Sequence, residues 1–348
     1  MTTSLLFIVR DASAASHNYS NTATNGVALS TEFLVDALTA LNITATSSAV
    51  SAVEDIAWLV VEKKPTHVII ETLWLTSDEM QSLVSEFPSV HWIVRDHSES
   101  CFRTLEVDAT QRIYDYLKIG VEVMSNSVRS MTDVMTIATN IDVSEDLASY
   151  GPNVYPIPER DTMVPRTRTE GVVNIGCFGA VRPMKNHITQ AIAAIQFAKT
   201  HGLSLKFHIN SYNITGYIDP VLNNLRALFS NAPSQFELVE HEWMDRNTFL
   251  SLLETMDICS QTSFTETFNI VTADAMARAI PIVASDCIAW LGETSKHNPV
   301  SSVDIACAFE KIWNAEVEEQ KLRLLRQRSD MNIYVKSALK VWTDRFGS

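Results

Sequence analysis

The chain is predicted to be α/β, with two parallel-sheet domains of the Rossmann-like kind. Three observations predict this. From Leu5 onward, short apolar runs alternate with helical patterns of about a dozen residues, as strands laid parallel with helices on both faces require. At 151–170 the alternation breaks into Gly151-Pro152, Pro156, Pro158 and Pro165, a linker composition. Beyond it, strand, glycine turn and helix begin again, and 348 residues leave room for two domains of ordinary size. The expected division is 1–158, 159–330 and a C-terminal helix, 331–348, that could fold back on the first domain.

In chain order, Leu5–Val9 reads as the first strand and Asp11–Asn25 as a polar loop. Gly26 then opens a helix over 27–41 that places Leu29, Phe33, Leu34 and Leu38 on one face. Two readings of Gly26 stay open, a permissive entry into that helix or close approach to a ligand phosphate. Further strands are expected at 43–47, 66–70, 90–94 and 121–124. Helices are expected at 51–64, at 77–86 behind a Ser77-Asp78-Glu79 cap, at 104–118, and from Ser127. His97 follows the 90–94 strand, at the end of the sheet where α/β sites form. It reads either as a site histidine or as a loop histidine satisfied by Asp96 or Glu99.

The second half restarts at 172–175 and runs into Gly176-Cys-Phe-Gly179-Ala-Val-Arg182-Pro-Met-Lys185-Asn-His187, with a helix to about 201. Two glycines let the backbone approach a ligand, while Arg182 and Lys185 bring two positive charges to the mouth of a sheet. A departing diphosphate needs such neutralisation. The turn fits neither a Walker loop nor the full dinucleotide fingerprint. Strands at 203–209 and 236–239 and helices at 219–229, 245–255, 302–315 and 317–345 complete the pattern, with Asp245 as a cap. Trp243 is either a stacking platform or packed core. Lys321, Arg323, Arg326 and Arg328 form a basic run, either a solvated helix face or a stripe for a polyanion.

The segment Met256–Cys287, MDICSQTSFTETFNIVTADAMARAIPIVASDC, organises the second domain. It reads as strand, Ser/Thr-rich loop, helix and strand, with Glu266 in the loop, Asp274 in the helix and Pro281 ending it. A helix starting just after Glu266 aims free N–H groups and a positive dipole end at the sheet's ligand-binding edge.

Charge and cysteine content narrow the function classes. Of the formal charge of −14, residues 1–158 hold 8 Lys/Arg against 20 Asp/Glu, and residues 159–348 hold 19 against 21. The first half therefore repels nucleic-acid backbones and anionic lipid. Five cysteines without C-x-x-C spacing read as small core residues of a reducing, cytoplasmic protein. No apolar run approaches the ~18–20 residues that cross a bilayer, and no His/Cys cluster or Asp-x-Asp pair marks a metal site.

The acid–seven residues–acid spacing of Glu266 and Asp274, followed by the small-residue turn, Pro281 and Ile282-Val-Ala-Ser285, resembles the signature of retaining glycosyltransferases of the two-domain GT-B fold, the group 1 and family 4-like enzymes. Arg182, Lys185 and Asn186 after a glycine turn are similar to the same family's second motif. Asp274 stands where the family usually has Glu, and Ala279 where it usually has Gly. The resemblance implies two Rossmann-like domains facing each other across a cleft, and transfer of a sugar from a UDP- or GDP-sugar to an acceptor hydroxyl with no metal required. It implies that Arg182, Lys185 and the backbone N–H groups of Phe268, Asn269 and Ile270 hold the diphosphate. Glu266 would hold the sugar hydroxyls, Asp274 the ribose, and His97 would sit beside the anomeric carbon, with Gly26 near the donor phosphates. The acceptor, supplied by the first domain, would be a glycan, a small molecule or a modified DNA base. A fold relative that binds without catalysing is the other open alternative.

Overall fold

The computed structural model describes residues 3–11, 26–158, 164–211 and 218–347, with the backbone alone at 218 and 219. The expected loop at 11–25 beyond Asp11, part of the linker (159–163) and the loop at 212–217 lie outside the described residues. The chain forms two compact units, Met1–Pro156 with Val335–Ser348, and Ile157–Tyr334.

In the first unit β1 (Ser4–Arg10), β2 (Thr44–Val50), β3 (His67–Glu71), β4 (His91–Asp96), β5 (Glu122–Ser125) and β6 (Ala148–Tyr150) make one parallel sheet in the order β2-β1-β3-β4-β5-β6. Its inner strands β1 and β3 are nearly continuous hydrophobic runs because both faces are covered, whereas the edge strand β2 is largely exposed. Leu6, Ile8, Val68, Ile70, Val94 and Val123 pack in one cluster with the helices. These helices are α1 (Gly26–Ala40), α2 (Val53–Lys63), α3 (Ser77–Glu86), α4 (Ala109–Lys118) and α5 (Val128–Asn140). Thr76, one residue ahead of the expected cap, closes a capping box with Glu79. The helix expected from 104 starts at Ala109, after a 3₁₀ turn over Phe102–Leu105. Residues 151–158 form no regular element, since Pro152, Pro156 and Pro158 donate nothing to a strand ladder.

The second unit holds β7 (Val172–Ala180), β8 (Ser204–Asn210), β9 (Phe236–His241), β10 (Ile258–Gln261), β11 (Ile282–Ser285) and β12 (Lys296–His297) in the order β12-β11-β10-β7-β8-β9, all parallel. Around them lie α6 (His187–His201), α7 (Ile218–Ser230), α8 (Arg246–Leu253), α9 (Ile270–Ala277), α10 (Ser302–Trp313) and the start of α11 (Val317–Phe346). The chain winds outward from β7 to β9, returns to the other side of β7 as β10, and winds outward again to β12. The winding reverses between β7 and β10, and open α/β sheets bind ligands outside the carboxyl ends of such a strand pair.

From Val335 the helix α11 belongs to the first unit. There Trp342 is 1% exposed, its indole N–H donates to the Pro152 carbonyl at 2.9 Å, and the Arg95 guanidinium lies 5.5 Å from its ring. Cys177 and Cys259 are buried as the sequence reading expects, but Cys101 and Cys307 are exposed and Cys287 is half-buried. The expectation of core cysteines fails for these three; Cys307, for one, lies on the outward face of α10, whose buried positions are Ile305, Ala306, Ala308, Phe309 and Ile312. No described helix is long and apolar enough to cross a membrane.

Candidate functional site

The carboxyl ends of β7 and β10 carry the residues singled out in the second domain. β7 bulges between Cys177 and Ala180, and Gly179 takes φ +105°, a conformation costly for any side-chain-bearing residue. Gly176 does a different job from the one expected of it. A Cβ there would meet the Phe178 ring at 2.5 Å, so this glycine serves packing and not ligand approach. Arg182 then leads into a 3₁₀ turn, Pro183–Lys185, and Asn186 adopts left-handed φ 58° before α6 begins.

Across the switch point, β10 ends at Gln261, and the loop beyond it brings Glu266 back to Lys185. Lys185 Nζ donates to Glu266 Oε1 at 2.5 Å, with 24% and 10% of the two side chains exposed. The pair brings together the residue expected on the diphosphate and the residue expected on the sugar. Arg182 stays exposed.

Asn269 caps α9 from the left-handed region, where Asn is tolerated better than most residues, and its Oδ1 accepts the Thr272 N–H at 2.9 Å. Among the described residues the N–H groups of Ile270 and Val271 meet no acceptor, so the start of α9 keeps two donors for an anion. Phe268 is 4% exposed, and its ring stacks on Trp290 and Tyr334 at 5.4 and 5.5 Å between centroids. The Trp290 indole also donates to the Phe268 carbonyl at 2.7 Å. This aromatic trio anchors the chain between Glu266 and the helix.

Asp274 is 1% exposed on α9, and Arg246, the first residue of α8, donates to both of its oxygens at 2.6 and 3.3 Å. The carboxylate expected on a ribose therefore carries a bidentate guanidinium partner here. Trp243 is half-buried in the loop before α8.

His97 and Gly26 belong to the first unit. His97 Nε2 lies 2.5 Å from Glu71 Oε2 and its Nδ1 lies 3.2 Å from the Asn126 amide nitrogen. Its partners are thus Glu71 and Asn126, not Asp96 or Glu99. Glu71 is 1% exposed and also receives Arg95 at 3.2 Å. Burial alone would raise its carboxyl, but Arg95 and His97 outweigh that and hold it below its ordinary value. Gly26 is the exposed first residue of α1.

The residues that hold the site together carry little signal in the sequence. Gln190, 0% exposed on α6, donates to the carbonyls of Lys185 at 2.8 Å and Asn186 at 3.3 Å. Its carbonyl oxygen accepts the Ser260 hydroxyl at 2.7 Å and the Thr262 N–H at 3.0 Å. One amide thereby fastens the Lys185 turn to the end of β10. Asn186 adds a second tie through the Thr262 carbonyl at 2.8 Å, and Gln261 links Phe178 to Asn269 at 3.1 Å on each side. A polar residue at an inward helix position was the one available signal for Gln190. His187 is 1% exposed with neither ring nitrogen bonded, and burial with Lys185 beside it pushes its pKa down to about 3. Among the described residues no three His, Cys, Asp or Glu side chains converge as a metal centre would.

Two units, each built on a six-stranded parallel sheet, make this the fold of the GT-B glycosyltransferases. Among solved structures the chain is similar to the α,α-trehalose-6-phosphate synthase of Burkholderia multivorans, with 12% identity, a TM-score of 0.67, and 99% of this chain and 96% of that one covered. It is similar to the UDP-forming α,α-trehalose-phosphate synthase of Burkholderia xenovorans in complex with glucose-6-phosphate, at 11% identity and TM-score 0.69, covering 99% of this chain and 100% of that one. An E. coli trehalose-6-phosphate protein bound with UDP-2-fluoro glucose matches at 13% identity and TM-score 0.63, over 97% and 96%. No family model matches the sequence, and no curated protein matches it either.

Proposed function

We propose that the chain is a retaining glycosyltransferase that moves a sugar from a nucleotide diphosphate to an acceptor hydroxyl, without a metal ion. The observation that carries this reading is the Lys185–Glu266 pair at the carboxyl ends of β7 and β10, next to the start of α9. An incoming diphosphate competes for Lys185, frees the Glu266 carboxylate for sugar hydroxyls, and takes further charge from Arg182 and the N–H groups of Ile270 and Val271. In transfer, the bond from the anomeric carbon to the phosphate oxygen breaks and the acceptor oxygen attacks from the same face. The acceptor proton passes to the leaving phosphate, so no separate base is assigned. His97 is kept as a candidate catalytic residue, its ring oriented by Glu71 and Asn126.

The UDP-sugar analogue bound in one similar structure and the UDP-forming activity named for another support a UDP-sugar donor ahead of a GDP-sugar. The acceptor is a hydroxyl on a glycan or small molecule, taken by the first unit. We place the enzyme in the cytoplasm on the strength of its five free cysteines.

The test is donor turnover in EDTA with a panel of UDP- and GDP-sugars and sugar acceptors, read as nucleoside diphosphate release. One donor should be consumed, and Glu266→Ala should abolish transfer with melting temperature preserved. Transfer that survives in Glu266→Ala would defeat the site assignment. Donor binding without turnover across the acceptor panel would favour the non-catalytic alternative.

A further inference from the structure

The same unit holds a second polar constellation, and it takes in Arg323, one residue of the basic run that the donor site leaves unexplained. A cavity of about 490 Å³ opens beside β12, lined by Lys296, His297, Asn298, Asp304, Lys311 and Arg323 among others. Arg323 is half-buried on α11, and its Nε is buried with no hydrogen-bond partner. Burial draws its guanidinium below the ordinary value, Glu319 opposing and Arg326 adding to the effect.

The remaining charges around the cavity are largely compensated. Lys296 Nζ donates to Glu293 at 2.9 Å, and Asp304 Oδ2 accepts the Asn298 N–H at 2.9 Å. His297 Nδ1 lies 3.8 Å from the same carboxylate, but burial, its largest influence, keeps the imidazole below its ordinary value. It is therefore mostly neutral at pH 7. Lys311 and Arg323 form no ion pair among the described residues. Two cations without an ion-pair partner among the described residues thus line a cavity edged by carboxylates and an amide.

We propose that this cavity binds a small polyhydroxylated phosphate monoester, a sugar phosphate in chemical class. Lys311 and Arg323 hold the phosphate oxygens by charge-assisted hydrogen bonds. Asp304 and Asn298, with the exposed Asp286 at the rim, take the hydroxyls. A polyanion is the wrong occupant, because Asp286, Glu293 and Asp304 would repel each phosphate beyond the first. The site uses none of the residues assigned to the donor, so it stands whether or not the transferase reading does.

The experiment is a calorimetric titration of the full chain with inorganic phosphate and with ribose 5-phosphate. Both should bind saturably, the sugar phosphate about tenfold tighter or more. Lys311→Gln should weaken both probes by about tenfold and Arg323→Gln by more. Lys311 is exposed, so its variant decides the matter even if the Arg323 variant fails to fold. Absence of saturable binding overturns the proposal. Binding that survives Lys311→Gln but is lost in Lys185→Gln also overturns it, placing the phosphate on the donor residues instead. Equal affinity for the two probes overturns the sugar-phosphate class.

Discussion

Replacing Gln190 by Leu removes one amide and cuts the two strand ends apart without changing side-chain size greatly. The wild-type amide is 0% exposed and makes four hydrogen bonds, to the Lys185 and Asn186 carbonyls, the Ser260 hydroxyl and the Thr262 N–H. Each is worth about 1 kcal/mol net, and a buried N–H left without an acceptor costs about 1–3 kcal/mol. Thr262 is itself 0% exposed, so water reaches its N–H poorly. Leucine recovers part of the loss as apolar burial, which leaves an expected destabilisation of about 3 kcal/mol. In a unit of this size that is a melting-temperature drop of roughly 6–12 °C. The functional effect is separable from stability because the carbonyl freed belongs to Lys185. A shift of about 1 Å in a catalytic group costs on the order of 100-fold in rate. Urea unfolding gives the stability, and donor turnover well below the lowered melting temperature gives the rate. A variant as stable as wild type, or one destabilised but fully active, would refute the view that Gln190 positions Lys185.

Three further outcomes are expected. Glu122, 3% exposed as a side chain, is held at about 2 against an ordinary 4.5: burial pushes it up, but His91, Arg345 and Ser149 outweigh that. Its folded value is depressed, so its stabilisation is present above pH 4.5 and is lost as pH falls toward 2. The difference is about 3 kcal/mol, and Glu122→Gln should flatten that part of the unfolding free-energy profile. Ala279 sits at φ 59° where only glycine is comfortable. Ala279→Gly should therefore relieve about 1–2 kcal/mol of strain, partly offset by lost packing on Leu324, for a small net gain in the urea midpoint. Arg246→Gln leaves the buried Asp274 without its bidentate partner and should cost about 3–5 kcal/mol in chemical denaturation. Arg246→Lys should recover little of that, since an ammonium cannot make the fork.

The elements that the sequence reading located are those whose cause is local. Apolar runs, opened by Gly171 at β7 and Pro281 at β11, mark β7, β10 and β11, and the helix expected over 187–201 coincides with α6. The acid at 266, the helix start after it and the cations at 182 and 185 were visible because each is a short-range pattern, read over about ten residues. Asp245 as cap of α8 was legible for the same reason.

Local patterns do not say what meets what, and here the misses fall. Lys185 and Glu266 are separated by 81 residues, and Gln190 and Thr262 by 72. They meet only because the sheet order sets β10 directly beside β7. Arg246 reaches Asp274 through the packing of two helices, and His97 finds Glu71 because β3 and β4 are neighbours. Composition and periodicity determine that this chain makes two parallel-sheet units with an acid and two cations near one sheet edge. Which charge is paired, which glycine is tight and which cation opens into a cavity are decided by tertiary structure. The reason is that hydrogen-bond distance and desolvation are properties of the folded neighbourhood and not of the sequence interval.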